Sequence, residues 1–369
     1  MKIWHVGASA SPKRVSGINI SAWVMAREQA QLGNQVTMIV QSPPDKTALV
    51  VAEKGGFELK YVPANAWRYD PKVVKKLLNS EPPQVVHMHS VFQPQHATLA
   101  RTLVHQEIPY VIKPGGGLLP QVLQRDLLRK SIYSWLIEKR RFYRAAAIAM
   151  VTPREEKDLR SFLPRYQGIM RWMPNPVDAK HLEGQSWQGE TKKKQLVYLG
   201  RFDVLHKGID ILIEIAQYLP EVEVHLYGSE DAQTKDWLEQ IKRTLPPNVH
   251  FHKPIFGAEK FKVLANATLY IQTARWEVFG ISIAEAMYLG TPCAIANTLH
   301  LADIFEQHDL GLVFPPNPKQ AAARLSEVLN QPTLLQDWSK KAQIFAQKHF
   351  QPRAVALNYL KLYEDVSRK

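Results

Sequence analysis

The chain holds a single cysteine, Cys293, inside the apolar run PCAIA. A disulfide within the chain is therefore excluded, which fits a reducing, cytoplasmic setting. Cys293 itself reads as a small core residue and not as a nucleophile. No apolar run approaches the roughly 20 residues that a bilayer-spanning helix needs. The longest, Ala145–Val151, has the length of a core strand. The opening residues MKIWHVGASA lack a signal peptide's apolar stretch and read as a first strand. There is no Asp-x-Asp, so a metal-bound nucleotide of the kind that motif serves has no support. There is no full GxGxxG either, which disfavours a dinucleotide cofactor.

What is present is a globular composition, 45% hydrophobic and 22% charged over 369 residues, enough for two domains with real cores. The net charge is +13, and its placement is uneven. Residues 1–175 hold 25 Lys+Arg against 12 Asp+Glu, while residues 176–369 hold 22 of each. The whole excess lies in the first part, which suggests an anionic partner there: a membrane surface, nucleic acid or a phosphorylated substrate. Ordinary solubilising charge is the alternative.

Both halves repeat one rhythm of short apolar run, loop and longer helical pattern. Lys2–Val6 reads as a strand, Gly17–Leu32 as a helix with Ala22, Met25, Ala26 and Ala30 on one face, and Val36–Val40 as the next strand. Gln84–Met88, Tyr110–Ile112 and Ile148–Val151 read as further strands. In the second half the strands are Gln195–Leu199, Glu223–Tyr227, Val249–Phe251, Leu269–Ile271 and Cys293–Ala296, with a helix over Lys207–Leu219. Leu334–Lys369 reads as helical. Strands alternating with helices predict an α/β protein with parallel sheets covered on both faces. Two series predict two Rossmann-like domains, joined near the Pro-flanked Asn175. The expected boundaries are 1–175 and 176–345, followed by a terminal helical segment 346–369.

Six segments carry candidate chemistry. In WEVFGISIAEAMYLG, Glu277 and Glu285 flank Phe279-Gly280 at the start of a helical pattern. A helix beginning there offers free backbone N–H groups and a positive dipole end, a seat for phosphate. The alternative is a surface loop and a buried helix with two solvated glutamates. After the first strand of the second domain, Arg201 and Lys207 form a cationic pair suited to a diphosphate whose charge grows as it leaves, or they are surface charges. Ser16-Gly17-Ile18 lets backbone approach a phosphate or sugar. His87 and His89 share one face of a strand end, with His89 nearer the carboxyl end, where it would hydrogen-bond a sugar hydroxyl. A metal pair of His89 with His96 is disfavoured, because no carboxylate or cysteine cluster accompanies it. The Pro114–Pro120 loop either shapes an acceptor pocket or is a turn. Gln124–Arg144 carries seven basic residues among aromatic and aliphatic ones. Such a stretch either lies on an anionic membrane surface or packs on its own domain.

Together these segments resemble the large retaining glycosyltransferase family 4, of the two-domain GT-B fold, over nearly the whole chain. The family's E-x-F-G-x-x-x-x-E appears as Glu277, Phe279, Gly280 and Glu285, and its G-R-[LF]-x-x-x-K-G, lengthened, as Gly200, Arg201, Phe202, Lys207 and Gly208. Its first-loop glycine corresponds to Gly17, its H-x-H strand end to His87 and His89, and its N-x-V-D hinge to Asn175, Val177 and Asp178. The resemblance implies two domains facing across a cleft, with a C-terminal helix crossing back to the first. It implies a retaining, metal-independent hexosyltransferase with no cofactor, using a nucleotide diphosphate sugar as donor and a saccharide or lipid-linked acceptor. Arg201 and Lys207 would clamp the diphosphate, assisted by Gly280 and Ile281 N–H groups and by Gly17. Glu285 would hold the ribose beside Phe279, Glu277 would touch the donor sugar, and His89 the sugar or acceptor. The leaving diphosphate would accept the acceptor's proton, with Glu277 as covalent nucleophile the weaker alternative. The chain departs from the family pattern after Ala296, where Asn297–Asp303 replaces a Gly-rich loop, and at Ser16-Gly17, where many members have two glycines. The Pro114–Pro120 segment with the basic helix resembles members that build bacterial surface polysaccharides, and the positive excess of the first domain together with Gln124–Arg144 predicts a peripheral place at an anionic membrane surface. A phosphorylase or sugar-nucleotide epimerase on the same fold would share the phosphate clamp. A nucleic-acid-binding protein would explain the charge but neither the clamp nor the glutamate pair, so no nucleic-acid partner is expected.

Overall fold

A computed structural model describes residues 1–14, 16–123, 133–178, 180, 182, 184–189, 193–230, 234–241 and 244–368, with Trp135 by its backbone alone. The chain divides into two compact units. Unit 1 is Met1–Asp178 with Pro352–Lys369, and unit 2 is Ala179–Gln351.

Unit 1 is built on seven strands: β1 (Lys2–Val6), β2 (Gln35–Val40), β3 (Glu58–Tyr61), β4 (Val85–His89), β5 (Tyr110–Lys113), β6 (Ala147–Met150) and β7 (Ile169–Trp172). They lie in the order β3-β2-β1-β4-β5-β6-β7, every pair parallel. Parallel neighbours need a crossover between them, so helices cover the sheet and its central strands are buried on both faces. That explains why β4 and β6 are buried at every position. The helix Gly17–Gln31 begins where Ser16, in extended backbone, accepts a hydrogen bond from Asn19 N–H. Its small residues Ala22 and Ala26 let the helix Pro352–Ser367 pack close, and Val355, Ala356, Tyr359, Leu362 and Tyr363 join the same core. The last helix thus belongs to the first unit. The helical segment expected over Leu334–Lys369 is two helices, Pro332–Phe350 and Pro352–Ser367, because Gln351 is extended before Pro352.

Unit 2 holds six parallel strands: β8 (Gln195–Leu199), β9 (Glu223–Tyr227), β10 (Val249–His252), β11 (Leu269–Gln272), β12 (Cys293–Ala296) and β13 (Gly311–Phe314), ordered β10-β9-β8-β11-β12-β13. Cys293 is fully buried in β12, and burial pushes its thiol up, so it is an inert core residue. The helix expected over Lys207–Leu219 is broken into Val204–Lys207 and Ile209–Gln217. Gly208 at the break has φ +63, and a Cβ there would lie 2.3 Å from Thr273 O. Three strands absent from the sequence reading, β3, β7 and β13, each form a sheet edge. Among the described residues no helix is long and apolar enough to cross a membrane.

The packing of the last helix yields a test. Leu362 is 0% exposed, so Leu362→Ala should destabilise unit 1 by about 2–5 kcal/mol in urea denaturation. Leu357 on the same helix is 50% exposed, and Leu357→Ala should stay within about 0.5 kcal/mol of wild type. Equal losses in the two variants would show that the helix does not bury the face described.

Candidate functional site

In unit 2 the expected donor residues gather at the carboxyl ends of β8 and β11. Arg201 leaves β8 with its side chain 55% exposed, 3.8 Å from the Asp203 carboxylate. Asp203 caps the short helix Val204–Lys207 by accepting from His206 N–H at 2.8 Å. Lys207, in that helix's last turn, donates its ammonium to Glu277 Oε2. Burial pushes the Glu277 carboxyl up. The Lys207 ammonium, by charge and hydrogen bond, outweighs that with help from His206 and Val278 N–H, and the group lies below the ordinary range. Glu277 is therefore a charged carboxylate already holding the cation.

Beyond Glu277 the chain turns through Gly280, at φ +64, into the helix Ile281–Leu289. A Cβ on Gly280 would stand 2.7 Å from Ile283 Cδ1 and 3.3 Å from Glu277 Cγ, so only glycine fits. No side chain caps this helix. Among the described residues the N–H groups of Ile281 and Ser282 have no hydrogen-bond partner, which leaves the positive helix end bare. Phe279 is 3% exposed and packs edge-on against Phe350 at 5.1 Å, so it anchors the turn from below. Glu285, one turn into the helix, accepts a hydrogen bond from the Lys260 ammonium.

A pair the sequence did not single out holds this loop. Arg275 forks onto Asp210 with bonds of 2.9 and 2.6 Å, and it also donates to Val204 O at 2.6 Å. The Arg275 N–H reaches His206 O at 2.9 Å, and Trp276 stacks on His206 at 4.9 Å. The fork ties the loop before Glu277 to the helix Ile209–Gln217, and the bonds to Val204 O and His206 O tie it to the short helix that carries Lys207. The two members lie 65 residues apart and no motif links them.

Unit 1 places its candidates differently. Gly17 opens the first helix beside a cavity of about 470 Å³ lined by Gly7, Ser9, Arg14, Ser16, Asn19, Gln41, Ser42, Ser90, Gln93 and His96, among others. His89 is not at its surface. It is fully buried, its Nε2 2.9 Å from His5 Nδ1 and its ring stacked on His87 at 4.2 Å. His5 Nε2 meets Gln29 Oε1 at 2.8 Å, and His87 Nδ1 meets the Tyr363 hydroxyl at 2.6 Å. Burial lowers all three imidazoles, His5 to about 4, so they are neutral. Among the described residues these three histidines are the one group with metal-ligand spacing. The neighbouring Lys113, whose charge further lowers each of them, opposes a dication there.

The stretch Gln124–Arg144 lies partly outside the described residues, which resume at 133. Its described end divides its basic residues between surface and interior. Arg140 and Arg144 are exposed, but Arg141 is buried and ion-paired with the equally buried Glu138. Arg141 also donates to Ser90 O at 3.4 Å, and Glu138 accepts from Phe92 N–H at 3.0 Å. Ser90 and Phe92 have φ of 77° and 57°, left-handed conformations that a non-glycine residue adopts at a cost. The ion pair therefore pins the strained loop after β4, at the rim of the cavity. Removing one member of a buried pair leaves an uncompensated charge. Arg141→Gln should cost about 3–5 kcal/mol in urea denaturation, while Arg140→Gln should change stability by less than about 0.5 kcal/mol. Two variants of equal stability would refute the buried pin.

Comparisons with known proteins agree with this geometry. The family model for glycosyltransferase family 4 matches residues 15–181, and that for glycosyl transferases group 1 matches residues 182–345. Among curated proteins, the phosphatidyl-myo-inositol mannosyltransferase of Mycobacterium tuberculosis is 27% identical over 211 residues, 53% of this chain and 54% of that protein. The chain thus spans about half the length of that relative. Among solved structures, sucrose-phosphate synthase from Thermosynechococcus elongatus superposes with a TM-score of 0.76 at 20% identity, covering 99% of this chain and 98% of the other. HepE of Anabaena, solved with UDP and glucose, superposes with a TM-score of 0.73 at 16% identity, covering 99% of each chain. With two covered parallel sheets, a motif-bearing turn in the second unit and both family models matched in sequence, the chain belongs to glycosyltransferase family 4, the glycosyl transferases group 1, and has the GT-B fold.

Proposed function

We propose that the protein is a retaining glycosyltransferase that moves a hexose from a nucleotide diphosphate sugar to a hydroxyl of a saccharide or lipid-linked acceptor. Bacterial surface polysaccharide or glycolipid synthesis is the setting that the family likeness favours. The observation that carries this reading is the continuity of Lys207, Glu277 and the bare N–H end of Ile281–Leu289 in one turn of unit 2. A diphosphate placed there meets a fixed ammonium and two unpaired N–H donors, the arrangement that stabilises a leaving group gaining charge. The Anabaena protein solved with UDP and glucose supports a nucleotide sugar as donor.

In this mechanism the acceptor oxygen forms its bond to the anomeric carbon on the face from which the diphosphate departs. The electrons of the broken carbon–oxygen bond leave with the diphosphate, and a diphosphate oxygen takes the acceptor's proton. Arg201, with about half its side chain exposed, swings to the diphosphate, while Lys207 is already placed. Glu277 faces the sugar and Glu285 the ribose. No metal or cofactor is required in this scheme, since the two cations and the helix end supply the positive charge.

Lys207→Ala should cost about 2–4 kcal/mol in kcat/KM, the range for one preorganised electrostatic donor, and wild-type activity should persist in EDTA. Glu285→Ala should weaken binding of the free nucleoside diphosphate in calorimetry, whereas Glu277→Ala should mainly lower turnover. Undiminished turnover in Lys207→Ala, or activity abolished by EDTA and restored by Mg²⁺, would refute the scheme.

A peripheral place at the inner, anionic face of the plasma membrane is part of the same reading, resting on Gln124–Arg144. Its described, exposed charges are Arg140 and Arg144, accompanied by the exposed Leu136 and Tyr143. Replacing Arg140 and Arg144 by Gln should reduce flotation with anionic vesicles at low salt and change nothing with neutral ones. Equal flotation of the variant would make a soluble acceptor the better reading.

A further inference from the structure

Unit 2 holds a second cluster of chemistry-bearing side chains. Lys207 and Glu277 follow β8 and β11, but this cluster stands on β9 and on β10, the edge strand paired to it. The two strands run parallel in a register that sets His250 opposite His225 and His252 opposite Tyr227. Alternation then sends Glu223, His225 and Tyr227 of β9, with His250 and His252 of β10, to one face. Val224, Leu226 and Val249, on the other face, are buried, whereas the histidine face is half-buried throughout. Parallel strands are normally covered on both sides, so a half-open face carrying three imidazoles calls for a cause.

His225 Nδ1 and His252 Nε2 stand 3.0 Å apart. Two nitrogens held by one tetrahedral zinc ion, each at about 2.0–2.1 Å, are about 3.3 Å apart. Without an ion one proton bridges the pair. Moving that proton to the far nitrogen of its own ring turns both lone pairs inward with no change in net charge. Burial, and then the proximity of His250, lowers both imidazoles, so both are neutral and able to ligate. Tyr227 stacks on His252 at 4.4 Å and backs that ring. The third ring, His250, is stacked beside His225 at 4.9 Å and lies 6.5 Å from His252. Its Nε2 meets Glu223 Oε2 at 2.6 Å. That bond to His250 holds the Glu223 carboxyl below the ordinary range, so it is an anion. Its other oxygen is 3.6 Å from the Lys193 ammonium, which is 77% exposed. A ligating histidine commonly gives its second N–H to a carboxylate, which fixes the ring and raises its basicity. Glu223 occupies that outer position and leaves Nδ1 of His250 as a third ligand atom. The buried histidines of unit 1 lack these advantages: they are closed off from solvent, and Lys113 stands beside them with a charge of the same sign as the ion.

We propose that His225, His252 and His250 bind one zinc-type divalent cation, with Glu223 as the outer carboxylate and water completing the shell. His225 Nδ1 and His252 Nε2 are the preformed half of the site, and His250 closes onto the ion through Nδ1 by a turn of its ring. Imidazole ligands select zinc, nickel or copper over magnesium and calcium, which prefer oxygen. The ion ties the edge strand to its neighbour, so it acts on the stability of unit 2. It takes no part in glycosyl transfer, in keeping with activity that persists in EDTA.

The test uses the full-length protein without a polyhistidine tag, stripped of metal beforehand. Calorimetry with zinc chloride should show one ion per chain. Added zinc should also raise the melting temperature, because the ion binds the folded state. Magnesium and calcium chloride should do neither. His225→Asn and His252→Gln should each weaken zinc binding at least tenfold, and His250→Gln severalfold. Glu223→Gln should weaken it about tenfold, the usual scale for an outer carboxylate. Calorimetry reads the ion directly, so a variant that melts earlier in metal-free buffer still reports on the site when titrated below its transition. A wild type that binds no zinc, or zinc affinity unchanged in both His225→Asn and His252→Gln, overturns the proposal. Unchanged affinity in His250→Gln removes the third ligand, and magnesium bound as tightly as zinc shows an oxygen site; either result also overturns it.

Discussion

A parallel sheet has no exposed face, and that constraint governs both units. Every central strand must be covered above and below, so the polar chemistry is driven to the ends of the strands, where loops meet helix starts. In unit 2 the requirement places Arg201, Lys207, Glu277 and the start of Ile281–Leu289 after β8 and β11. In unit 1 it places Arg14, Gly17, Ser90 and His96 after β1 and β4. The same requirement is why residues 352–367 return to unit 1: without Tyr359, Leu362 and Tyr363, one face of that sheet and of the helix Gly17–Gln31 would lie open.

Loops at strand ends are held here by charged pairs and not by apolar packing alone. Arg275 and Asp210 fix the approach to Glu277, and Arg141 and Glu138 fix the strained turn after β4. Glu155 does similar work for the glycine loop. It accepts from Val151 N–H at 2.7 Å and from Gly116 N–H at 3.3 Å, and burial raises it to about 7 despite those bonds. Each pair exchanges favourable hydration for a single loop conformation. Such exchange is more tolerable when backbone meets further donors of the pair, as Val204 O does for Arg275 and Ser90 O for one N–H of Arg141, although Arg141 Nε and Glu138 Oε2 stay buried without a partner. Their common role is to limit the freedom of a segment whose backbone must present donors outward.

The sequence was most legible where burial is most complete. Most central strands appear as mainly apolar runs and were found within a residue or two; β4, VVHMH, holds two buried histidines, and β9, EVHLY, is only half-buried at alternate positions. The edge strands β3 and β7 are half-exposed, ELKY and IMRW, and carry no such run. β13, GLVF, is largely buried but runs straight into two prolines, and it was not read as a strand. The break at Gly208 was hidden because αL backbone leaves no periodic trace, and its cause, Thr273 O, is distant in sequence. The unit 2 motif is compact in sequence and needed only its spacing to be read. The cavity in unit 1 draws on three strand ends, so no single segment announces it. His96 entered the sequence reading as a remote metal partner for His89, yet the structure seats it in the cavity and buries His89 behind it. Arg141 shows the limit of charge counting: in sequence it is one of seven basic residues in the stretch Gln124–Arg144, and only burial separates it from its neighbour Arg140.

Unit 1 is discontinuous and unit 2 is not, which has a consequence for the order in which the chain acquires structure. Domains usually fold as units, the earlier one first, as synthesis proceeds. Here the unit that emerges first lacks the side chains of residues 352–367 until the whole of the second has been made. During that interval the groove beside Ala22 and Ala26 is uncovered, and the hydroxyl that His87 uses, from Tyr363, does not yet exist. The second unit, continuous from residue 179 to residue 351, is the one free to complete its core first. On the ribosome the later unit therefore sets the pace, and the nascent first unit spends that time with apolar surface within reach of chaperones.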